Sequence, residues 1–397
     1  MRTDAVRDII ADWRVFATTH AIRHLTVAPG RVDAAWSDGR ISPFHADWLR
    51  DNCPCADCVQ RLTREQMFEI ADAPTDLAVA GAVLDGNGDL NVRWSDGHDS
   101  RYGAGWLRAS AYDEASRAER RMADAPLLWQ AGAPVPRFPY GRLMADDGAL
   151  HGWLVTLRDR GLVLVDGVPT TPDTVATLAR RIAFVRETNF GVIFDVASKP
   201  KPDSAAYTAV NLPPHTDLPT RELQPGLQFL HCLVNEATGG ESIFVDGFAI
   251  ADALAREHPA DFALLTTVPV AFWNKDDRTD YRFSAPVIAL DPVTAKVAEL
   301  RCANFLRGPL DAPAEVVAPF YRAYRRYQAM TRDPRFRVVH RLEAGEMWVF
   351  DNRRVLHART EFDPASGARH LQGCYVDRDE LLSRIRVLAR GGPAGDA

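Results

Sequence analysis

Residues 215 to 217 read His-Thr-Asp, and a distant histidine ends the run Trp348-Val-Phe-Asp-Asn-Arg-Arg-Val-Leu-His357. Side chains two positions apart in an extended segment point to the same side, so His215 and Asp217 can reach one ion. Two imidazoles and one carboxylate on one face of an ion are typical of non-heme Fe(II) sites, which keep three coordination positions open. The pattern predicts iron ligands at His215, Asp217 and His357.

The His-x-Asp triplet is a weak signal without its context. With 11 histidines and 53 acidic residues in the chain, a triplet of this kind is expected about once by chance. The run that ends at His357 is apolar and predicts a buried strand that leads to a polar loop. Arg369 follows twelve positions later and opens a second strand-like run, where its guanidinium could hold a carboxylate through two parallel hydrogen bonds. The four residues together favour a metal centre over unrelated core, loop and surface positions.

Composition narrows the class of protein. The chain has 397 residues, 46% of them hydrophobic, which is ordinary for a soluble protein of two domains. No run of eighteen apolar residues predicts a membrane span, and residues 1–10 carry acids in a helical pattern without the apolar core of a signal peptide. A net charge of −6 without a basic cluster argues against nucleic acid. We therefore expect a cytoplasmic protein.

Three of the six cysteines crowd into one turn, Asp51-Asn-Cys53-Pro-Cys55-Ala-Asp-Cys58. In a reducing compartment such crowding indicates a metal rather than disulfides. A structural zinc site needs four ligands, and His98 in Trp94-Ser-Asp-Gly-His98 is the natural fourth. The alternative is three free thiols on a loop, which would invite oxidation.

The same region contains an internal echo. Trp36-Ser-Asp-Gly39 and Trp94-Ser-Asp-Gly97 are identical, and a Trp-Leu-Arg triplet follows each of them at the same distance. Asp-Gly between short alternating runs predicts a β-hairpin. We expect two similar hairpin units, offset by 58 residues, with zinc joining the cysteine turn to the second. One sequence leaves open whether the echo is a duplication or a coincidence.

The rest of the chain predicts a second, larger domain. Four prolines between residues 124 and 140 indicate a connector. Helices are predicted at 149–159, from Thr171 as N-cap to about residue 185, and at 316–330, with a buried strand at 162–165. Short β-rich runs fill most of the remainder, which predicts a mostly β fold, a double-stranded β-helix (jelly roll) with flanking helices. The expected domains are a β-rich zinc-binding domain at 15–120, a linker at 121–143 and the jelly-roll oxygenase domain at 144–392.

From about Leu162 to Leu388 the chain resembles the gamma-butyrobetaine dioxygenase and trimethyllysine dioxygenase family of Fe(II)/2-oxoglutarate oxygenases, and the likeness extends into the N-terminal region. The stretches that carry it are Ala206-Tyr-Thr, His215-Thr-Asp217, Leu230-His-Cys-Leu233, Thr238-Gly-Gly-Glu-Ser242, Val245-Asp-Gly-Phe248 and Phe350-Asp-Asn with Val-Leu-His357. The resemblance implies iron at the triad, Arg369 on the far carboxylate of 2-oxoglutarate, and zinc at Cys53, Cys55, Cys58 and His98. The position of Ser242 after the double glycine predicts a further hydrogen bond to 2-oxoglutarate.

The resemblance also implies where the substrate binds. Relatives hold a trimethylammonium group in a cage of aromatic rings, and the matching positions are Phe190, Phe194, Tyr207 and Tyr375. At the acid end of the substrate, relatives use an Asn-Asn pair where this chain has Asp203-Ser204, and a second contact falls on Asn304. The hydroxyl of Ser204, with lysines at 199 and 201 nearby, could suit a phosphonate as well as a carboxylate.

These observations predict an enzyme that uses Fe(II), 2-oxoglutarate and O2 to hydroxylate a small quaternary ammonium compound, releasing succinate and CO2. Gamma-butyrobetaine, which would give carnitine, is the first candidate, followed by 2-trimethylaminoethylphosphonate and then trimethyllysine. A different class of explanation is a non-catalytic zinc scaffold or ligand sensor, which need not retain the triad and the arginine. Members of the family often form homodimers, and the sequence leaves the oligomeric state open.

Overall fold

The computed structural model describes residues 16–123, 125–197 and 208–391. The helical pattern of residues 1–10, the cage position Tyr207 and the acid-end residues Asp203 and Ser204, with the two lysines, lie outside the described residues. The chain divides into two compact units, residues 1–125 and 126–397. In the described part of the chain, no helix is long and apolar enough to cross a bilayer.

The N-terminal unit contains two three-stranded antiparallel sheets, ordered β1-β2-β3 and β4-β5-β6. Its elements are β1 (Ile22–Ala28), β2 (Arg31–Trp36), β3 (Ile41–His45), α1 (Ala46–Asp51), β4 (Val79–Leu84), β5 (Leu90–Trp94), β6 (Asp99–Tyr102), α2 (Ala104–Ser110) and α3 (Glu114–Ala123). Each sheet is followed by a short helix, and the buried faces of both sheets share one hydrophobic core. The predicted hairpins are confirmed as β2-β3 and β5-β6.

The two sheets of this unit repeat the same side-chain contacts. The indole nitrogen of Trp36 donates to Ser42 at 2.9 Å, and that of Trp94 donates to Ser100 at 2.8 Å. Both contacts span six residues across the Asp-Gly turn, and their positions differ by the predicted offset of 58. The Trp-Ser-Asp-Gly echo therefore marks a structural repeat.

Two reciprocal ion pairs also connect the two repeats. Arg108, which follows the second sheet, donates to Asp38 in the turn of the first sheet at 2.8 Å. Arg50, which follows the first sheet, lies 3.7 Å from Asp96 in the turn of the second. Both arginines are buried, and each repeat therefore holds the turn of the other through a partly desolvated ion pair.

The second unit is built around two facing sheets, ordered β7-β8-β19-β11-β22-β9 and β10-β20-β13-β18. Its strands are β7 (Arg137–Pro139), β8 (Leu162–Asp166), β9 (Phe194–Val196), β10 (Leu212–His215), β11 (Leu227–Asn235), β12 (Thr238–Gly239), β13 (Ser242–Asp246), β14 (Val270–Lys275), β15 (Asp280–Ala285), β16 (Ile288–Leu290), β17 (Val297–Leu300), β18 (Arg337–His340), β19 (Met347–Asp351), β20 (Val355–Arg359), β21 (Phe362–Asp363) and β22 (Arg369–Val376). Its helices are α4 (Tyr140–Ala145), α5 (Asp147–Arg160), α6 (Thr174–Arg180), α7 (Gly247–Glu257), α8 (Pro259–Thr267), α9 (Ala314–Arg332) and α10 (Arg378–Ala389).

Aromatic residues fill the space between the two sheets. Phe244 of the four-stranded sheet packs against Trp348 and Phe350 of the six-stranded sheet, with ring centroids 4.7 and 5.3 Å apart. All three side chains are buried, as inner-face residues of a sheet sandwich are. The predicted double-stranded β-helix with flanking helices is confirmed.

The helices outside the six-stranded sheet largely follow the sequence pattern. Helix α5 confirms the prediction for 149–159, and its apolar stripe, which includes Trp153 and Leu157, is buried against the outer face of the six-stranded sheet. Asp146 caps the helix by accepting from the backbone N–H groups of Gly148 and Ala149. Gly161 ends it with a φ of 72°, a left-handed conformation that favours glycine. Helix α9 likewise confirms the prediction for 316–330.

The predicted bounds of the helix from Thr171 to about residue 185 were wrong. Helix α6 begins at Thr174 and ends at Arg180, and Thr171 is not its side-chain cap. The start is set instead by tertiary contact, since the backbone N–H of Asp173, at φ 69°, donates to the side chain of Gln372 in β22 at 2.7 Å. The region proposed as a linker, 121–143, also contains β7, which pairs in parallel with β8, and the start of α4.

Candidate active site

The three predicted iron ligands meet where two adjacent strands pair. His215 ends β10, and His357 lies opposite it in β20. The Nε2 atoms of His215 and His357 lie 3.2 and 3.6 Å from the same Oδ1 atom of Asp217. The buried strand predicted before His357 is β19, and the polar turn lies between β19 and β20. The geometry places three ligand atoms around one point, where they could hold a metal ion.

Other side chains and the backbone fix the orientation of these ligands. The Nδ1 atom of His215 lies 2.9 Å from the carbonyl oxygen of Pro213, which leaves Nε2 for a metal. The Asn352 side chain accepts from the backbone N–H of Asp217 at 2.7 Å and donates to its carbonyl at 3.1 Å. The hydroxyl of Tyr375 donates to Oδ2 of Asp217 at 2.7 Å. The aspartate is thereby held with Oδ1 directed at the histidines.

The electrostatics of the site suit a divalent cation. Burial lowers the pKa of His357 to about 3, so its ring is neutral at physiological pH and can donate a lone pair. Burial alone would raise the pKa of Asp217, but His357, His215 and the Tyr375 hydroxyl outweigh it and hold that pKa well below the usual range. Neutral imidazole and ionised carboxylate are the forms that bind Fe(II) in a 2-His-1-carboxylate site.

A cavity of about 80 Å³ lies beside the three ligands, between the two sheets. Arg369, the first residue of β22, lines it, as do Ser242 and Gln228. The Nε and Nη1 atoms of Arg369 are buried and have no hydrogen-bond partner among the described residues, while its guanidinium lies 5.0 Å from the ring of Phe362. Burial lowers the pKa of Arg369 from its ordinary value. A buried guanidinium with unpaired N–H groups, facing a cavity, fits an anionic ligand group.

The described residues among the predicted cage positions lie close together, and Phe194 also lines the cavity. The ring centroid of Phe194 is 5.0 Å from that of Tyr375 and 6.5 Å from that of Phe190. Because Tyr375 also donates to Asp217, the aromatic cluster adjoins a predicted iron ligand. Asn304 is exposed and is not among the residues lining the cavity, although its neighbour Phe305 packs edge-on against His215 with ring centroids 5.2 Å apart.

Comparison with known proteins assigns the family. The model of the taurine catabolism dioxygenase TauD, TfdA family matches residues 123–375, and that of the gamma-butyrobetaine hydroxylase-like N-terminal domain matches residues 24–108. The gamma-butyrobetaine dioxygenase of Pseudomonas sp. (strain AK-1) is 58% identical over 382 residues, which cover 96% of this chain and all of the relative. The chain belongs to the gamma-butyrobetaine dioxygenase family.

Other relatives share less sequence over nearly as much of the chain. The human gamma-butyrobetaine dioxygenase is 30% identical over 89% of this chain and 93% of its own. The trimethyllysine dioxygenase of Meyerozyma guilliermondii is 30% identical over 91% of this chain and 94% of its own. Membership of the family makes the protein an Fe(II)/2-oxoglutarate-dependent dioxygenase.

In this family member, sequence reasoning missed several residues beside the predicted ligands. Arg359 and Gln228 both line the cavity, and Arg359 donates to the carbonyls of Thr208 and Val210 at 2.6 and 2.9 Å. Burial and the neighbouring Arg369 lower the pKa of Arg359 to about 10. The signal for Arg359 was available, because a residue two positions beyond His357 in a strand points to the same side. Gln228 lies in a uniformly apolar run, which gave no such signal.

The N-terminal unit brings its four predicted zinc ligands together. The Nε2 atom of His98 lies 3.3, 3.5 and 3.7 Å from the sulfur atoms of Cys53, Cys55 and Cys58. Without a cation, burial raises the pKa of Cys53 to about 12. Two donors nevertheless point at the sulfurs, the hydroxyl of Ser100 at Cys53 and the guanidinium of Arg50 at Cys58, at 3.0 and 3.3 Å. Three sulfurs and one imidazole around a point, with hydrogen bonds suited to thiolates, fit a tetrahedral zinc ion.

Proposed function

We propose that this enzyme hydroxylates gamma-butyrobetaine to carnitine. The observation that carries the proposal is the aromatic cluster of Phe190, Phe194 and Tyr375 beside the iron ligands. Aromatic faces attract a quaternary ammonium group, which cannot form hydrogen bonds of its own through N–H. The 58% identity to the Pseudomonas gamma-butyrobetaine dioxygenase supports the same substrate.

Each part of the site has a proposed task. His215, Asp217 and His357 hold Fe(II), and Arg369 pairs with the far carboxylate of 2-oxoglutarate, with Ser242 as a further hydrogen-bond donor in the same cavity. When bound, Fe(II) with 2-oxoglutarate and O2 supplies the oxidation, in which one oxygen atom enters a C–H bond and the other enters succinate as CO2 leaves.

The protein contributes binding and orientation. The cage fixes the ammonium end of the substrate, so that one carbon of the chain faces the metal. Tyr375 contributes to both the cage and the metal site, because its ring belongs to the cage while its hydroxyl holds Asp217. Leu230, Phe244 and Leu371 give part of the cavity an apolar lining.

We infer that the N-terminal cluster binds zinc as a structural ion. Three thiolates and an imidazole would leave no coordination position for a substrate. The cysteine turn belongs to the first repeat and His98 to the second, so the ion would join the two. We also propose a cytoplasmic location, because a thiolate cluster of this kind needs a reducing compartment. A homodimer stays a prediction, to be checked by light scattering on the purified protein.

A substrate panel tests the proposal. Purified enzyme receives Fe(II), 2-oxoglutarate, and gamma-butyrobetaine, 2-trimethylaminoethylphosphonate or trimethyllysine in turn, and succinate is measured against a sample without substrate. We expect the highest kcat/KM with gamma-butyrobetaine. A higher value with the phosphonate or trimethyllysine would assign that compound as the substrate. If none of the three compounds stimulated succinate formation, the trimethylammonium substrate class would be refuted.

A further inference from the structure

One face of strand β22 runs from the cavity to the predicted iron ligands. Side chains two apart in a strand point to the same side, and the residues on this side are Arg369, Leu371, Gly373 and Tyr375. Arg369 and Leu371 line the cavity, and Tyr375 reaches Asp217. Gly373 therefore lies between the residue proposed for the co-substrate and the residue shared by the cage and the metal site.

The ring of Phe194 occupies the space where a side chain at position 373 would lie. Phe194 pairs with Gly373 across β9 and β22. A Cβ atom built on Gly373 would lie 2.4 Å from Cζ and 2.5 Å from Cε2 of Phe194. It would also lie 3.0 Å from the carbonyl oxygen of Phe229. These distances to the ring are well below van der Waals contact, so the present position of Phe194 requires a glycine at 373.

The strand that carries Phe194 is fastened to β22 on its opposite face. Oδ1 of Asp195 lies 2.7 Å from Nε2 of His370, and it accepts from the side chain of Gln372 at 3.1 Å. With the backbone of β9 held at this position, a methyl group on residue 373 would displace the ring of Phe194 rather than the strand. On its other sides the ring has Tyr375 and Phe190 as neighbours, so the displaced ring would enter the cage.

We propose that Gly373 is a specificity-determining residue, whose missing side chain sets the width of the pocket for the ammonium group. The inference rests on the proposed function, because it takes the aromatic cluster as the ammonium site. A head group with three methyl groups needs the full width, and a smaller cation needs less. Any side chain at position 373 should therefore shift the preference of the enzyme from a trimethylammonium to a dimethylammonium substrate.

The test compares gamma-butyrobetaine with 4-(dimethylamino)butyrate, which is protonated at neutral pH and so keeps the charge while losing one methyl group. In Gly373→Ala, the ratio of kcat/KM for the trimethyl over the dimethyl compound should fall on the order of tenfold. The affinity for 2-oxoglutarate, measured by anaerobic calorimetry on the Fe(II)-loaded protein, should stay within about twofold, because Arg369 is not displaced. The same calorimetry with gamma-butyrobetaine should show weaker substrate binding.

Gly81→Ala is the matched control. Gly81 also lies in a strand, β4, but a Cβ atom there would meet nothing within 4 Å. This variant should keep the wild-type substrate ratio. A second variant, Phe194→Leu in the Gly373→Ala background, removes the ring that the new methyl group would meet and should restore part of the affinity for the trimethyl compound.

The outcomes separate the inference from the function on which it rests. Wild-type enzyme that turns over gamma-butyrobetaine, with an unchanged substrate ratio in Gly373→Ala, overturns the role of Gly373 alone. Wild-type enzyme that turns over neither compound overturns the proposed function and this inference with it. If Gly373→Ala does not fold, the double variant with Phe194→Leu decides, because the ring that the new methyl group would meet is then absent. The double variant should fold and turn over gamma-butyrobetaine, and a double variant that also fails to fold would overturn the clash with Phe194 on which the inference rests.

Discussion

Replacing Arg369 with alanine should weaken the binding of 2-oxoglutarate more than any other property of the enzyme. The guanidinium is buried beside Phe362, and its Nε and Nη1 atoms have no hydrogen-bond partner among the described residues. A carboxylate that arrived there would form two charge-assisted hydrogen bonds in a partly desolvated site. Removing one partner of such a pair costs about 2 kcal/mol or more, which is a factor of about thirty in affinity.

The assay for Arg369→Ala measures the 2-oxoglutarate dependence of succinate formation at saturating substrate, and 2-oxoglutarate binding by anaerobic calorimetry. Arg369→Lys keeps the charge and loses the planar pair of donors, so it should fall between wild type and alanine. Arg256→Ala, on an exposed face of α7, serves as a surface control and should match wild type. An unchanged KM for 2-oxoglutarate in Arg369→Ala would remove this residue from the co-substrate site.

Arg369→Ala should also change the thermal stability of the enzyme in a predictable way. A buried charge without a partner destabilises a folded protein, so Arg369→Ala should unfold at the same temperature as wild type or higher when 2-oxoglutarate is absent. Added 2-oxoglutarate should raise the unfolding temperature of the wild type, because it binds the folded state only, and should raise that of the variant much less. A marked loss of stability without ligand would instead indicate that Arg369 has a structural role.

Three further predictions address the other parts of the molecule. Purified enzyme should retain one zinc per chain after iron is removed with a mild chelator, and Cys55→Ser or His98→Ala should lower thermal stability without a selective change in KM; elemental analysis without zinc would refute the structural ion. A substrate isostere with a neutral tert-butyl group keeps the shape and loses the charge, so its kcat/KM should fall by a factor of about ten to a hundred, or about 1 to 3 kcal/mol; efficient hydroxylation of it would exclude the cation cage. Gly240→Ala would place a Cβ atom 3.0 Å from Nε of Arg369, at a φ of 71°, and should raise the KM for 2-oxoglutarate while the substrate preference is unchanged.

The parts of the site that sequence could predict are those in which chemistry fixes the spacing. His215 and Asp217 must point the same way to bind one ion, and in an extended segment this requires one residue between them. The cysteine turn works in the same way, because three thiolates within six residues have few uses in a reducing compartment. The strand pairing that brings His357 opposite His215 is a long-range contact, and here the family resemblance supplied what the local pattern could not.

The features that sequence did not predict depend on contacts between distant segments. Asn352 holds Asp217 from 135 positions away; its stretch, Phe350-Asp-Asn, contributed to the family resemblance, but the local pattern does not predict this contact. The N-cap of α6 was predicted at Thr171, whereas it lies two residues later at Asp173, whose backbone N–H donates to Gln372. From sequence alone, Gly373 only weakens the prediction of a strand. The structure shows that the ring of Phe194 occupies the space that a side chain at this position would need. Local propensity is overridden wherever such a partner exists.

The roles of His215, Asp217 and His357 as ligands of the iron that hydroxylates a trimethylammonium substrate underlie every other proposed role in the site. The most direct measurement follows succinate and carnitine together, with gamma-butyrobetaine as substrate, in the wild type and in Asp217→Ala. Equal amounts of the two products are expected from the wild type, and neither above background from the variant, which should keep its fold and its zinc. Near wild-type turnover by Asp217→Ala, or succinate from the wild type without carnitine, would contradict these roles.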